Sequence, residues 1–186
     1  MTTIVAMTNS LAPTRTSNAS LHAVPTLLAA AAYLVLTGIQ VTNPAFDDQL
    51  TSPVDYANDG SFLIGLLLSL PALVGLRRAI SAPRPPLVLI AVGQMAVGLG
   101  VLVGLITGES PAWFGLVGAP GNLLAWVGMC WLATWVWRTR TLPRWVAGLM
   151  VISVPVGVGF AEYGGSIVTA ALWCYVGAFL VRRGEH

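Results

Sequence analysis

A chain of 186 residues that is 56% hydrophobic and only 9% charged lies far from the roughly 25% charged residues of soluble domains. A water-soluble globule is excluded. The formal charge of +2 comes from nine basic residues, all arginine, against seven acidic ones; without lysine or an aromatic-interleaved basic patch, the footprint of a nucleic-acid binder is missing.

Taken in chain order, residues 1–20 are polar with the single basic residue Arg15, and read as an unstructured cytoplasmic tail. The apolar stretch that follows is too long for a signal-peptide core, so it reads as an uncleaved first span. Apolar runs then occupy residues 22–42, 61–76, 86–107, 113–137, 143–161 and 166–181. Each approaches the length of about 20 residues that crosses a hydrocarbon layer as a helix, the second and sixth by recruiting flanking residues. The expected fold is all-α: one six-span transmembrane bundle over residues 21–183, with a short cytoplasmic tail at 184–186.

The charges sort by side. Arg15, then Arg77, Arg78 and Arg84, then Arg138, Arg140 and Arg144, then Arg182 and Arg183 fall on alternate segments, whereas Asp47, Asp48, Asp55, Asp59, Glu109 and Glu162 occupy the others. The positive-inside rule places both termini in the cytoplasm. Trp135, Trp137 and Trp145 beside the inner arginines suit interfacial anchoring. Each even-numbered span opens on glycine plus a small polar residue, at Gly60-Ser61, Gly121-Asn122 and Gly165-Ser166, and ends in arginine. Three helical hairpins of similar plan are one reading of this. The other is that bilayer thickness alone sets the glycine-to-arginine distance, and the unequal spacing of the hairpins favours it.

Gly100, Gly104 and Gly108 recur at four-residue spacing in the third run, a bare stripe that permits close helix approach in lipid. That span is expected to be the packing centre, against another span of this chain or against a second protomer. Pro71 and Pro155 lie mid-span, so kinks and freed carbonyls are expected at Leu67 and Val151. The acidic outer segment around Asn43, Asp47, Asp48, Asp55, Asn58 and Asp59 lacks the ligand spacing of a calcium loop and reads as a solvated loop.

Reactive chemistry is hard to assemble. His22 and His186 are the only histidines, the two cysteines belong to no paired motif, and no span holds a central ionisable residue. Intramembrane haem, a histidine zinc site, Ser-His hydrolysis and a proton relay therefore lack their parts. No catalytic residue, metal site or cofactor is expected. A mild polar site remains conceivable: with each span centred in a slab about 30 Å thick, Tyr33, Ser69, Gln94, Cys130, Ser153 and Cys174 reach similar depth, one from each helix. Gln94 is the most demanding, because hydrocarbon satisfies none of its amide hydrogen bonds.

The stretch from Trp137 to Gly148, with Leu142-Pro143-Arg144-Trp145 at its turn, resembles the inner loop of small six-helix integral membrane proteins of actinobacteria. That resemblance covers the last third of the chain and implies an architecture without an activity. The leading expectation is a non-catalytic accessory or scaffold subunit of a bacterial cell (inner) membrane, with the lipid bilayer and a membrane-protein partner or second copy as its contacts. The alternatives are a small-solute transporter or channel and, third, a lipid-modifying enzyme. A cavity-free bundle would favour the first, and a polar cavity reaching mid-depth the second.

Overall fold

The computed structural model describes residues 17–43 and 50–184, with side chains from residue 21 onward. Arg15, Asp47, Asp48, His186 and most of the two tails lie outside the described residues. Six α-helices follow one another: α1 (Ser17–Thr42), α2 (Pro53–Ile80), α3 (Arg84–Thr107), α4 (Phe114–Thr139), α5 (Arg144–Gly159) and α6 (Ser166–Gly184). A single 3-10 turn, Ala161–Tyr163, joins the last two. No strand occurs among the described residues.

Five of the helices are long and apolar enough to cross a membrane, which makes the chain a multi-pass membrane protein. The exception is α5. Its sixteen residues span about 24 Å at 1.5 Å each, less than a hydrocarbon core of about 30 Å. Of the six expected spans, five are long helices and α5 is the short one, whereas α2, expected to be short, has 28 residues. Phe160 ends α5, the 3-10 turn follows, and Gly164 sits at φ 78°, a left-handed conformation that glycine adopts without strain. Gly165 then presses on the carbonyl oxygens of Val156 and Phe160 with no room for a Cβ.

A second correction concerns α2, which starts eight residues before the apolar run. Ser52 caps it: the Asp55 amide donates to Ser52 Oγ at 3.2 Å, and the Ser52 amide donates back to Asp55 Oδ2 at 2.8 Å. Pro53 occupies the first turn, where its missing N–H is harmless. Asp55, Asn58 and Asp59 are therefore helical rather than part of a solvated loop.

The helices close into a ring in which α1 packs between α2 and α6, α3 between α2 and α4, and α5 between α4 and α6. Neighbours run antiparallel, as their side chains record. Tyr33 lies over Gly65 and His22 over Gly75 between α1 and α2, while Gly93 meets Gly121 and Gly128 meets Pro86 between α3 and α4. This topology gathers every described arginine at one end. There Arg183 Nη1 donates to the Ala79 carbonyl at 2.5 Å, Arg78 lies 3.1 Å from His22 Nε2, and Arg144 stacks 4.9 Å over Trp137.

Apolar side chains lie on the surface as well as in the core. Alanines 29, 30, 72, 133, 147 and 170 fill the interior with Thr26, Ser69 and Ser153, while Leu, Val and Ile side chains on all six helices face outward. Lipid tails are as apolar as those side chains, so the seams rest on close packing and hydrogen bonds rather than a hydrophobic force. The tightest seam joins α3 to α4. A Cβ on Gly93 would collide with the Gly121 carbonyl and lie 2.6 Å from the Ala125 amide nitrogen; one on Gly128 would lie 2.6 Å from the Pro86 carbonyl oxygen.

The expected glycine stripe meets that seam at one position only, Gly100 against the first residue of α4. Gly100 gives up its space to the Phe114 ring, but a Cβ on Gly104 would meet nothing nearer than the Glu109 carbonyl oxygen at 3.6 Å. Gly108 is the left-handed cap of α3, at φ 80°, and is glycine for that backbone reason. The kink carbonyl at Val151, freed by Pro155, does find a partner: Trp126 Nε1 of α4 donates to it at 2.9 Å.

Candidate functional site: a cavity inside the ring

Six helices in a ring leave space along the axis unless large side chains fill it, and here the two halves differ. At the arginine-bearing end Leu73, Leu76, Leu132, Met150, Leu172 and Val176 pack with no water-sized void between them. Toward the other end small residues, Gly93, Ala125, Gly157, Ala161 and Ser166, take places in the lining beside larger ones such as Phe62 and Phe114, and a cavity of about 310 Å³ remains. That volume is at the lower end of the range for ligand sites, about 300–1,000 Å³.

Three of the six positions matched by depth in the sequence, Tyr33, Gln94 and Ser153, line this cavity. Ser69 joins them through one hydrogen bond, its Oγ donating to Gln94 Oε1 at 3.0 Å while also reaching the Leu66 carbonyl at 2.7 Å. Cys130 and Cys174 do not line it; Cys174 is exposed on the outer face of α6 and Cys130 is half-buried. Their depth matches and their azimuth does not. Successive helical residues turn by about 100°, and it is Met129 and Trp173, one residue earlier in each case, that face inward.

Asn58, Trp173, Gln40, Ser166 and Asn122 also line the cavity and were not singled out by depth. Gln40 and Ser166 satisfy each other, since Ser166 Oγ donates to Gln40 Oε1 at 2.7 Å and lies 2.9 Å from Thr37 Oγ1. Asn58 and Trp173 are different. Asn58 is 8% exposed and Trp173 1%; Asn58 Oδ1 and Trp173 Nε1 are both buried without a hydrogen-bond partner among the described residues. The Gln94 amide nitrogen likewise has no described partner.

Unpaired polar atoms in a low-dielectric interior cost about 1–3 kcal/mol each, and most native proteins satisfy them with protein or ordered water. Asn58 Oδ1 and Trp173 Nε1 belong to residues of the cavity lining but are themselves closed off from it, so the polar groups that line the space are those of Gln94, Asn122 and Thr169. No Asp, Glu, Lys, Arg or His belongs to the lining. No group of three or more His, Cys, Asp or Glu side chains that could hold a metal ion occurs among the described residues. The arrangement suits hydrogen bonding to a neutral molecule with an apolar body. No protein family, curated protein or solved structure matches the chain.

Proposed function

We propose that this protein is a small-solute transporter that binds an uncharged, hydrogen-bonding molecule inside its helical ring. The observation that carries the proposal is the cavity itself, which includes Tyr33, Gln94 and Ser153 at mid-depth, is bounded toward the arginine-bearing end by a packed layer, and has the neutral polar residues Gln94, Asn122 and Thr169 in its lining. A through-going channel would need a second mouth, and the packed layer from Leu73 to Val176 closes that end. Alternating access instead requires one open and one sealed end in any given state. The same cavity moves the balance away from a purely structural accessory subunit, for which a solid interior would serve.

In this reading the protein resides in a bacterial cell membrane with both termini cytoplasmic. The arginine-bearing end faces inward by the positive-inside rule, so the cavity opens outward. The neutral lining selects against ions, because a charge placed there would find no counter-charge and a large desolvation cost. The test is gentle purification into nanodiscs, followed by mass spectrometry of the small molecules retained by the wild type and by Gln94→Leu. The wild type should carry a neutral compound that the variant loses while keeping its fold. An identical complement in both would contradict the proposal.

A further inference from the structure

A second hollow lies outside the ring, on the lipid-facing seam between α2 and α3. It measures about 440 Å³ and is lined by Leu63, Leu67, Leu70, Met95, Leu99 and Leu102 among others, all apolar apart from Gln94. Leu66 and Gln94 line both this groove and the inner cavity. These two side chains therefore form the partition between lipid and the binding site.

The seam is built to part more readily than its neighbours. Although only residues 81–83 separate α2 from α3, the two share the least extensive interface of any consecutive pair. No glycine locks them as Gly93 and Gly128 lock α3 to α4. Gly98 faces α2 across ordinary van der Waals distance, with its Cβ position 3.5 Å from Leu63 Cδ1 and 3.8 Å from Leu66 Cδ1. The side-chain hydrogen bond across the seam is Ser69 to Gln94, and such bonds average only about 0.6 kcal/mol in membranes.

Resting on the transport reading above, we infer that the solute is an amphiphile drawn sideways from the bilayer. Its neutral polar head occupies the cavity near Asn58 and Trp173, and a single alkyl chain lies in the α2–α3 groove. Gln94 is the hinge of the partition. When its amide leaves Ser69 it can follow the head group, while Leu66 and the groove leucines receive the chain. The groove supplies little affinity of its own, since lipid tails are equally apolar; selectivity comes from the head.

Two photoactivatable 1-monoacylglycerols test this in phosphatidylcholine nanodiscs, one with a diazirine in the acyl chain and one with it on the glycerol. The head probe should label cavity peptides containing Asn58 or Trp173, and the chain probe should label the Leu67–Leu70 and Met95–Leu102 walls. Unlabelled monolaurin should compete with both. Leu99→Trp enlarges a side chain that lines the groove and not the inner cavity, and should lower chain-probe labelling there about tenfold, as an overpacked site excludes a guest. Head labelling in the cavity with chain labelling scattered evenly over all lipid-facing helices would overturn the lateral route alone. Failure of the head probe to label the cavity, with no competition by monolaurin, would instead overturn the cavity reading on which it rests.

Discussion

Asn58 illustrates how one residue changes meaning with its setting. Its Nδ2 donates to Asp59 Oδ1 at 3.1 Å, while its Oδ1 stays buried and unpaired. Asn58→Leu removes an unsatisfied acceptor together with the donor to Asp59, two effects of opposite sign, so thermal stability in detergent is expected to change by less than about 1 kcal/mol. Retention of the co-purifying solute should fall. Lower stability together with unchanged solute would mark Asn58 as a structural residue. Trp126 is the opposite case. Its donation to Val151, the carbonyl that Pro155 strips of its usual partner, is worth about 1 kcal/mol, so Trp126→Phe should lower stability by that amount. In a Pro155→Ala background the cost should shrink, because residue 155 then supplies its own N–H. An undiminished cost would show that the indole acts through packing alone. The freed carbonyl was legible from Pro155 by counting back four residues, whereas its partner, on another helix, was not.

At the scale of helices, number and approximate position were readable and facing was not. Hydropathy located all six, because a span must be continuously apolar. The Ser52-Pro53-Asp55 start of α2 was also present in the sequence as a capping pattern, but polar residues at an apolar boundary look like loop until the cap is recognised. Azimuth failed for Cys130 and Cys174 because helices surrounded by lipid on one side and small residues on the other show little amphipathic contrast. The glycines carry the same lesson: the four-residue spacing of Gly100, Gly104 and Gly108 defines a face, but α3 and α4 meet where Gly93 faces Gly121, Gly128 faces Pro86 and Gly100 faces Phe114. Gly93→Leu should therefore lower stability by about 1–3 kcal/mol or more, and Gly104→Leu far less, in thermal unfolding in mild detergent. The reverse order would move the packing centre to the stripe.

For the molecule as a whole, the decisive asymmetry is between its two ends. One is rich in arginine and closed by large aliphatic side chains; the other is poor in arginine, shortened at α5 and hollow to mid-depth. Composition alone established membrane residence, but a ring of six helices can be solid or hollow with the same hydropathy profile. Only the placement of Gly157, Ala125 and Ser166 on inward faces decides which. The most direct test is the reaction of Gln94→Cys, in a background lacking Cys130 and Cys174, with a membrane-impermeant thiol reagent applied to either side of sealed vesicles. Thr141→Cys would mark the arginine-bearing side and Leu76→Cys the packed layer. Gln94→Cys should react from the side opposite Thr141→Cys, with Leu76→Cys silent from both; reaction of Gln94→Cys from the Thr141 side, or from neither, would contradict a solvent-reaching cavity open at the arginine-poor end.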